Sequence, residues 1–185
     1  MTGIGKDEES PAPPANSLGV IISLPPALAA ELGEKRAFYA GADAAVVPAH
    51  ITLVSGQAAD SWDDAAAHVR KIAADGAPFM LSLRGTGTFE PISPVVFLNV
   101  AEGAQECAAL HEQLVAGPVE HLLKFGFHPH LTIAHDLDQA TLARAKSDMS
   151  DFCADFEVTS IGLFDYLAGG WFLREELSLG GGTKP

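Results

Sequence analysis

Two stretches decide how this chain is read: Pro48-Ala49-His50-Ile51-Thr52-Leu53-Val54 and Phe127-His128-Pro129-His130-Leu131-Thr132-Ile133-Ala134. Each carries His-x-Thr set among apolar residues. Side chains on a strand alternate faces, so His50 and Thr52 point one way while Ile51 and Leu53 point the other. His130 and Thr132 share a face in the same manner, opposite Leu131 and Ile133. Each stretch predicts a strand with one face for a core and one face presenting an imidazole and a hydroxyl.

Working outward, the surrounding elements repeat. Leu18 to Leu24 is a β-rich run, and Pro25-Pro26 opens a helix over 27–39. A strand over 46–54 carries the first motif. Ser61 can cap a helix over 63–74. Residues 79–89 alternate apolar with small or polar side chains and read as a strand. The order then recurs as a strand over 94–100, a helix over 103–115, a strand over 128–134, a helix over 138–149 and a strand over 156–164. A last strand covers 171–179. The two copies are offset by about 80 residues, a period too long for a solenoid. They predict two similar lobes that form one domain over 18–179. If the lobes pack about a pseudo-twofold axis, the two polar faces meet in one groove. Residues 1–17 and 180–185 hold few large apolar side chains and are expected to be flexible tails.

Composition limits the function classes. The chain has 185 residues, 48% hydrophobic and 19% charged, as a globular domain does. Its formal net charge of −13 opposes tight non-specific binding of long nucleic acid. A small anionic substrate can still enter a locally neutral or basic pocket. No apolar run approaches the roughly 18 residues of a membrane span. No basic segment leads into an apolar stretch at the N-terminus, so a cytoplasmic location is expected. Cys107 and Cys153 lack metal-ligand spacing and are expected to be small thiols in or near the core.

Paired His-x-Thr suits phosphodiester chemistry. An unperturbed imidazole titrates at about 6.5, so it serves as acid or base near neutrality. A neutral imidazole can deprotonate a water or hydroxyl, and an imidazolium can protonate a leaving oxygen. Threonine hydroxyls can donate to the non-bridging oxygens and stabilise the charge that builds on them. This apparatus calls for no metal or other cofactor.

These motifs resemble those of the 2H phosphoesterase superfamily, which includes the bacterial 2′-5′ RNA ligase and RNA 2′,3′-cyclic phosphodiesterase proteins. Residues 79–89 also look like the family strand that follows the first motif. The resemblance implies an α+β, bilobal fold, with antiparallel sheets lining a central groove and helices outside. It implies metal-independent chemistry at a 2′,3′-cyclic phosphate or 2′-5′ phosphodiester. By motif position, His50 and His130 carry over as the acid/base pair, and Thr52 and Thr132 as the phosphate-holding residues. Many ligase-like members have an arginine after the second motif where this chain has His135. With the acidic charge, that favours a small nucleotide or an RNA end with a cyclic phosphate over long RNA. A monomer is the expected state.

Other residues are weighed from the sequence alone. His128 shares strand parity with His130 and is a candidate substrate contact, as are Phe127, Lys124 and Arg84. His135 has the opposite parity and is expected to be structural or exposed. That split, with no Cys or Glu nearby, argues against zinc at His128, His130 and His135. His68, His111 and His121 are expected on solvated helix faces. Asp63, Asp64, Asp136 and Asp138 read as acids at helix N-termini. Gly85-Thr86-Gly87 lacks the following helix and Lys-Ser/Thr of a phosphate loop. A binding module of the same fold, holding a nucleotide or phosphate without turnover, is the alternative from a different class.

Overall fold

The computed structural model describes residues 16–41, 47–122, 125–167 and 170–180. These residues form an α+β fold of nine strands and four helices. In chain order they are β1 (Ser17–Ser23), α1 (Pro26–Ala40), β2 (His50–Ala58), α2 (Trp62–Asp75), β3 (Phe79–Thr88), β4 (Val95–Glu102), α3 (Ala104–Val115), β5 (Val119–His121), β6 (His130–His135), α4 (Gln139–Asp148), β7 (Cys153–Val158), β8 (Ser160–Leu167) and β9 (Gly170–Ser178). The expected tails lie mostly outside the described residues, as does Lys124.

Local chemistry explains the element ends. Proline has no N–H to give a ladder, so Pro48 and Pro129 hold the two motif strands back until His50 and His130. Both strands therefore begin later than the alternation predicts. Pro26 sits in the first turn of α1. The Ser61 hydroxyl accepts from the Asp64 N–H at 3.4 Å, and Asp138 caps α4 by accepting from the Thr141 N–H at 3.0 Å. Asp63 and Asp64 lie in the first turn of α2 as expected. Asp136 does not serve a helix; it sits at φ 54° and pairs with His135. The single strand expected over 156–164 is two strands, β7 and β8, and the short β5 was not legible.

All strand pairs are antiparallel, in the order β7-β3-β4-β6-β2-β1-β8-β9, with β5 pairing β2. The sheet has two four-stranded halves, joined where β6 meets β2 at Ile51↔Leu131. The repeat is present, but its copies exchange strands. β3 closes the first copy in sequence yet pairs with β4 and β7 of the second. β8 closes the second copy yet pairs with β1 of the first. One buried cluster runs from Leu18 to Leu179 and includes Ile51, Leu53, Leu131 and Ile133, each 0 or 1% exposed. Burying such side chains is worth roughly 1.5–3 kcal/mol each, which fixes the register of both motif strands. Helices α2, α3 and α4 pack on the strands, and α1 leans onto β6 of the other half. Gly56 lets β5 approach β2: a Cβ there would stand 1.7 Å from the Glu120 carbonyl oxygen.

Cys107 is buried in α3, and burial pushes its thiol up to about 12. Cys153 does not sit in the core; it is exposed at the start of β7. No helix among the described residues is long and apolar enough to cross a membrane.

Candidate active site

At the junction of the two halves, Ile51 pairs directly with Leu131. The antiparallel register then sets His50 across from Thr132 and Thr52 across from His130. Directly opposed Cβ atoms stand about 4.5–5.5 Å apart and diagonal ones about 7–8 Å. The four side chains form a quadrilateral with the imidazoles on one diagonal and the hydroxyls on the other. All four line a cavity of about 740 Å³.

Each imidazole is held by a bond of the same form. His50 Nδ1 donates to the Pro48 carbonyl at 2.8 Å, and His130 Nδ1 donates to the His128 carbonyl at 2.7 Å. A carbonyl can only accept, so Nδ1 carries the proton and Nε2 is left for chemistry. Burial pushes His50 below the ordinary imidazole range; the bond to Pro48 opposes this, and the Arg36 charge adds to it. Burial also pushes His130 down, opposed by the bond to His128 and reinforced by the charges of His128 and His50. The rings of Phe89 and Phe97 stand 4.9 and 5.2 Å from the His130 ring, and 4.4 Å from each other.

Both motif strands carry a bulge just beyond the threonine. Between β1 and β2 the pairing jumps from Val20↔Val54 to Ile21↔Thr52, passing over Leu53. Between β4 and β6 it jumps from Val96↔Ala134 to Phe97↔Thr132, passing over Ile133. An extra residue resets the alternation. Leu53 and Val54 are both buried, as are Ile133 and Ala134. The third residue after each threonine therefore returns to the cavity face. Ser55 and His135 both line the cavity. Parity counted without the bulges sends His135 the wrong way. Two adjacent apolar residues after each Thr were the available signal. His135 Nδ1 is 2.9 Å from Asp136 Oδ2.

Arg36 also lines the cavity and was missed, because an arginine in an Ala/Glu-rich helix reads as solvated. It is 9% exposed, and its Nη1 donates to the Val47 carbonyl at 2.7 Å. Among the described residues, none that lines the cavity is Asp or Glu, although the chain has 24 of them. Beyond the quadrilateral, Ile21, Phe164, Trp171 and Leu173 form an apolar wall.

The remaining candidates lie elsewhere. Arg84 is committed to the β3–β7 seam: it pairs with Asp155 at 2.5 Å and donates to the Ala154 carbonyl at 3.0 Å. Phe127 stacks on His111 at 4.1 Å and packs against the core. His128 precedes the strand, packs edge-on to Phe89 and Phe97, and serves the site through its carbonyl. The three histidines expected on solvated helix faces are tied down instead. His68 Nε2 is 3.0 Å from the Gln113 carbonyl, and His111 Nδ1 donates to the Leu53 carbonyl at 2.8 Å. His121 lies on β5, not on a helix, and its Nδ1 accepts from the Ser55 N–H at 3.3 Å. The last two bonds hold the backbone on either side of Val54 in the β2 bulge. No cluster of three or more potential metal-binding His, Cys, Asp or Glu side chains occurs among the described residues.

The chain has known relatives in sequence and in fold. Residues 24–170 match the family model of the 2′-5′ RNA ligase superfamily, so the chain belongs to that family of two-histidine phosphoesterases. Its relatives include a protein of Geobacillus kaustophilus, named only provisionally as a phosphoesterase. It is 32% identical over 142 residues, covering 74% of this chain and 82% of that one. A Bacillus cytotoxicus protein with the same provisional description is 31% identical over 145 residues, covering 76% and 84%. Among solved structures, E. coli LigT complexed with 3′-AMP superposes with a TM-score of 0.61 at 19% identity, covering 89% of this chain and 98% of LigT. A protein of Thermus thermophilus gives 0.60 at 20%, with the same coverage. At these identities the two structures speak for the fold.

Proposed function

We propose that this chain is a metal-independent phosphodiesterase that opens a 2′,3′-cyclic phosphate, or cleaves a 2′-5′ phosphodiester, on a nucleotide or RNA end. The observation that carries this reading is the quadrilateral: two imidazoles with free Nε2 atoms face one another diagonally across two hydroxyls. Thr52 and Thr132 hold the non-bridging oxygens. One neutral imidazole takes a proton from water as the water oxygen bonds to phosphorus. The bond from phosphorus to the 2′ or 3′ oxygen breaks, and the opposite imidazolium protonates that oxygen. The product is a phosphomonoester and a free hydroxyl. With a ribose 5′-hydroxyl in place of water, the same forward steps bond that oxygen to the phosphorus of a 2′,3′-cyclic phosphate, break the bond from phosphorus to the 3′ oxygen, protonate that oxygen and leave a 2′-5′ linkage.

Both imidazoles are biased neutral by burial in the free protein. The bound phosphate supplies the negative charge that draws a proton onto one of them. A cavity of about 740 Å³ accommodates a nucleotide, and the wall around Trp171 and Phe164 offers aromatic surface for a base. Both motifs come from one chain, which supports the reading of a monomer as the active unit. The 3′-AMP complex of LigT fits the reading that a small nucleotide is the ligand.

The test is a panel of 2′,3′-cyclic nucleotides and 2′-5′ dinucleotides, with products identified by mass, in the presence of EDTA. Turnover that survives EDTA and is lost in folded His50→Ala and His130→Ala variants is the expected result. Tight binding of a cyclic nucleotide with no product over hours would favour the binding-module alternative.

A further inference from the structure

Among the described residues, Arg36 is buried without a counter-ion. It is 9% exposed, yet no carboxylate among the described residues forms an ion pair with it. The other strongly buried charge, Asp165, has Arg174 at 3.1 Å. Burying an unpaired charge is costly. A chain with 24 acidic and 11 basic residues has acids to spare for the purpose. The Val47 carbonyl takes one of the five guanidinium N–H donors, and the side chain lines the cavity, where no described lining residue is an acid.

Its place in the cavity is set by topology. Val47 and Pro48 lead directly into His50, so Arg36 stands at the His50 end of β2. β6 runs antiparallel to β2, with Thr132 across from His50. Beyond Thr132, the bulge returns His135 to the cavity at this same end, and α1 packs on β6 there. The His135 ring is held through Nδ1 by Asp136, which leaves Nε2 for a ligand. A guanidinium and an imidazole thus flank the end of the quadrilateral formed by His50 and Thr132, beside one of the two hydroxyls assigned to the reacting phosphate.

We propose that Arg36, with His135 as a second donor, forms an anion subsite for a second phosphoryl group on the substrate. This rests on the phosphodiesterase reading of the same cavity. It makes the preferred substrate a phosphodiester that bears a further phosphate, such as a 5′-phosphorylated nucleotide with a 2′,3′-cyclic end. Arg36 is then a specificity residue: it selects among phosphodiesters by what they carry away from the reacting bond.

Calorimetric binding of adenosine 3′-monophosphate and adenosine 3′,5′-bisphosphate tests this without any turnover. A charge-assisted hydrogen bond predicts that the wild-type protein prefers the bisphosphate by about 10- to 100-fold. Arg36→Met should bring that ratio close to one without lowering the melting temperature, since it replaces an unpaired buried charge with an apolar chain of similar length. Should that variant not fold, Arg36→Gln keeps a donor for Val47 and is read in the same way. A wild-type ratio near one, or a ratio that the substitution leaves unchanged, overturns the proposal. So does equal weakening of both ligands, which would place Arg36 on the shared 3′-phosphate. Failure of the cyclic substrates to turn over would remove the catalytic reading while leaving this binding ratio to be read by itself.

Discussion

Gly87→Ala tests whether the aromatic packing behind His130 positions it. Gly87 lies on β3, and a Cβ there would stand 2.5 and 2.6 Å from Cε2 and Cζ of Phe97, and 3.0 Å from Oδ1 of Asn99. Carbon atoms rest about 3.5–4.0 Å apart, so the ring must give way by roughly 1 Å. Phe97 is 3% exposed, with Phe89 on one side at 4.4 Å, and it stands 5.2 Å from His130. The displacement therefore passes to the ring pair that flanks the imidazole. Overpacking of this kind costs about 1–3 kcal/mol of stability. A 1 Å misplacement of a reacting group costs on the order of 10²-fold in rate. The assays are chemical denaturation, turnover of a 2′,3′-cyclic nucleotide, and the proton NMR shift of the His130 ring, which feels the ring currents of both phenylalanines. The expected outcome is a modest loss of stability, a moved His130 resonance and a large fall in kcat. A stability loss with an unmoved resonance and unchanged kcat would refute the reasoning, because Phe97 would then be packing that His130 does not depend on.

Four further outcomes follow from the same geometry. Thr52→Val or Thr132→Val should lower kcat by roughly 10²–10³-fold with the fold intact by circular dichroism, as removal of one donor to a developing oxyanion does. Burial holds His50, His130 and His121 below the ordinary imidazole range, so the unfolded chain takes up protons first as pH falls. Their contribution to stability is complete above about 6.5 and is lost as pH drops below it; melting curves from pH 8 to 5 should show a shallower acid-side decline in a His50→Gln/His130→Gln variant, and identical slopes would contradict this. His121→Leu deprives the Ser55 N–H of its acceptor and should cost about 1–3 kcal/mol, whereas His121→Asn keeps an acceptor and should cost less, read by urea denaturation. Gly56→Ala should abolish the β5–β2 pairing, because the new methyl would occupy the space of the Glu120 carbonyl; loss of amide protection at Leu122, whose N–H donates to the Ser55 carbonyl, reports it.

The alternation of Ile51 and Leu53 with His50 and Thr52 was enough to read the site strands, since period two is a local property. Helix starts were legible for the same reason: Ser61, Pro26 and Asp138 act within one turn. What escaped was non-local. The bulges depend on which strands flank β2 and β6, and they overturn the parity counted for His135, which is exposed as expected but on the cavity side. The burial of Arg36 depends on α1 leaning across to β6. His111 and His121 read as solvated because their partners, Leu53 and Ser55, are distant in sequence. β5 has three residues, too few for a period to show. The boundary between β7 and β8 at Thr159 marks where the chain passes from one half of the sheet to the other, which composition does not record.

The exchange of strands between the repeats bears on how the molecule is made. β1 stays an unpaired edge on its β8 side until Asp165, far along the chain, arrives to face Leu18. Contacts of that sequence separation are slow to form. The apolar wall of the cavity draws on β1, β8 and β9 together, through Ile21, Phe164, Trp171 and Leu173. A ribosome-bound chain can therefore complete both motif strands and still lack the surface against which a ligand would rest. Binding competence should appear abruptly, once β8 and β9 are released, and a nascent chain halted before β8 should expose the β1 edge to chaperones.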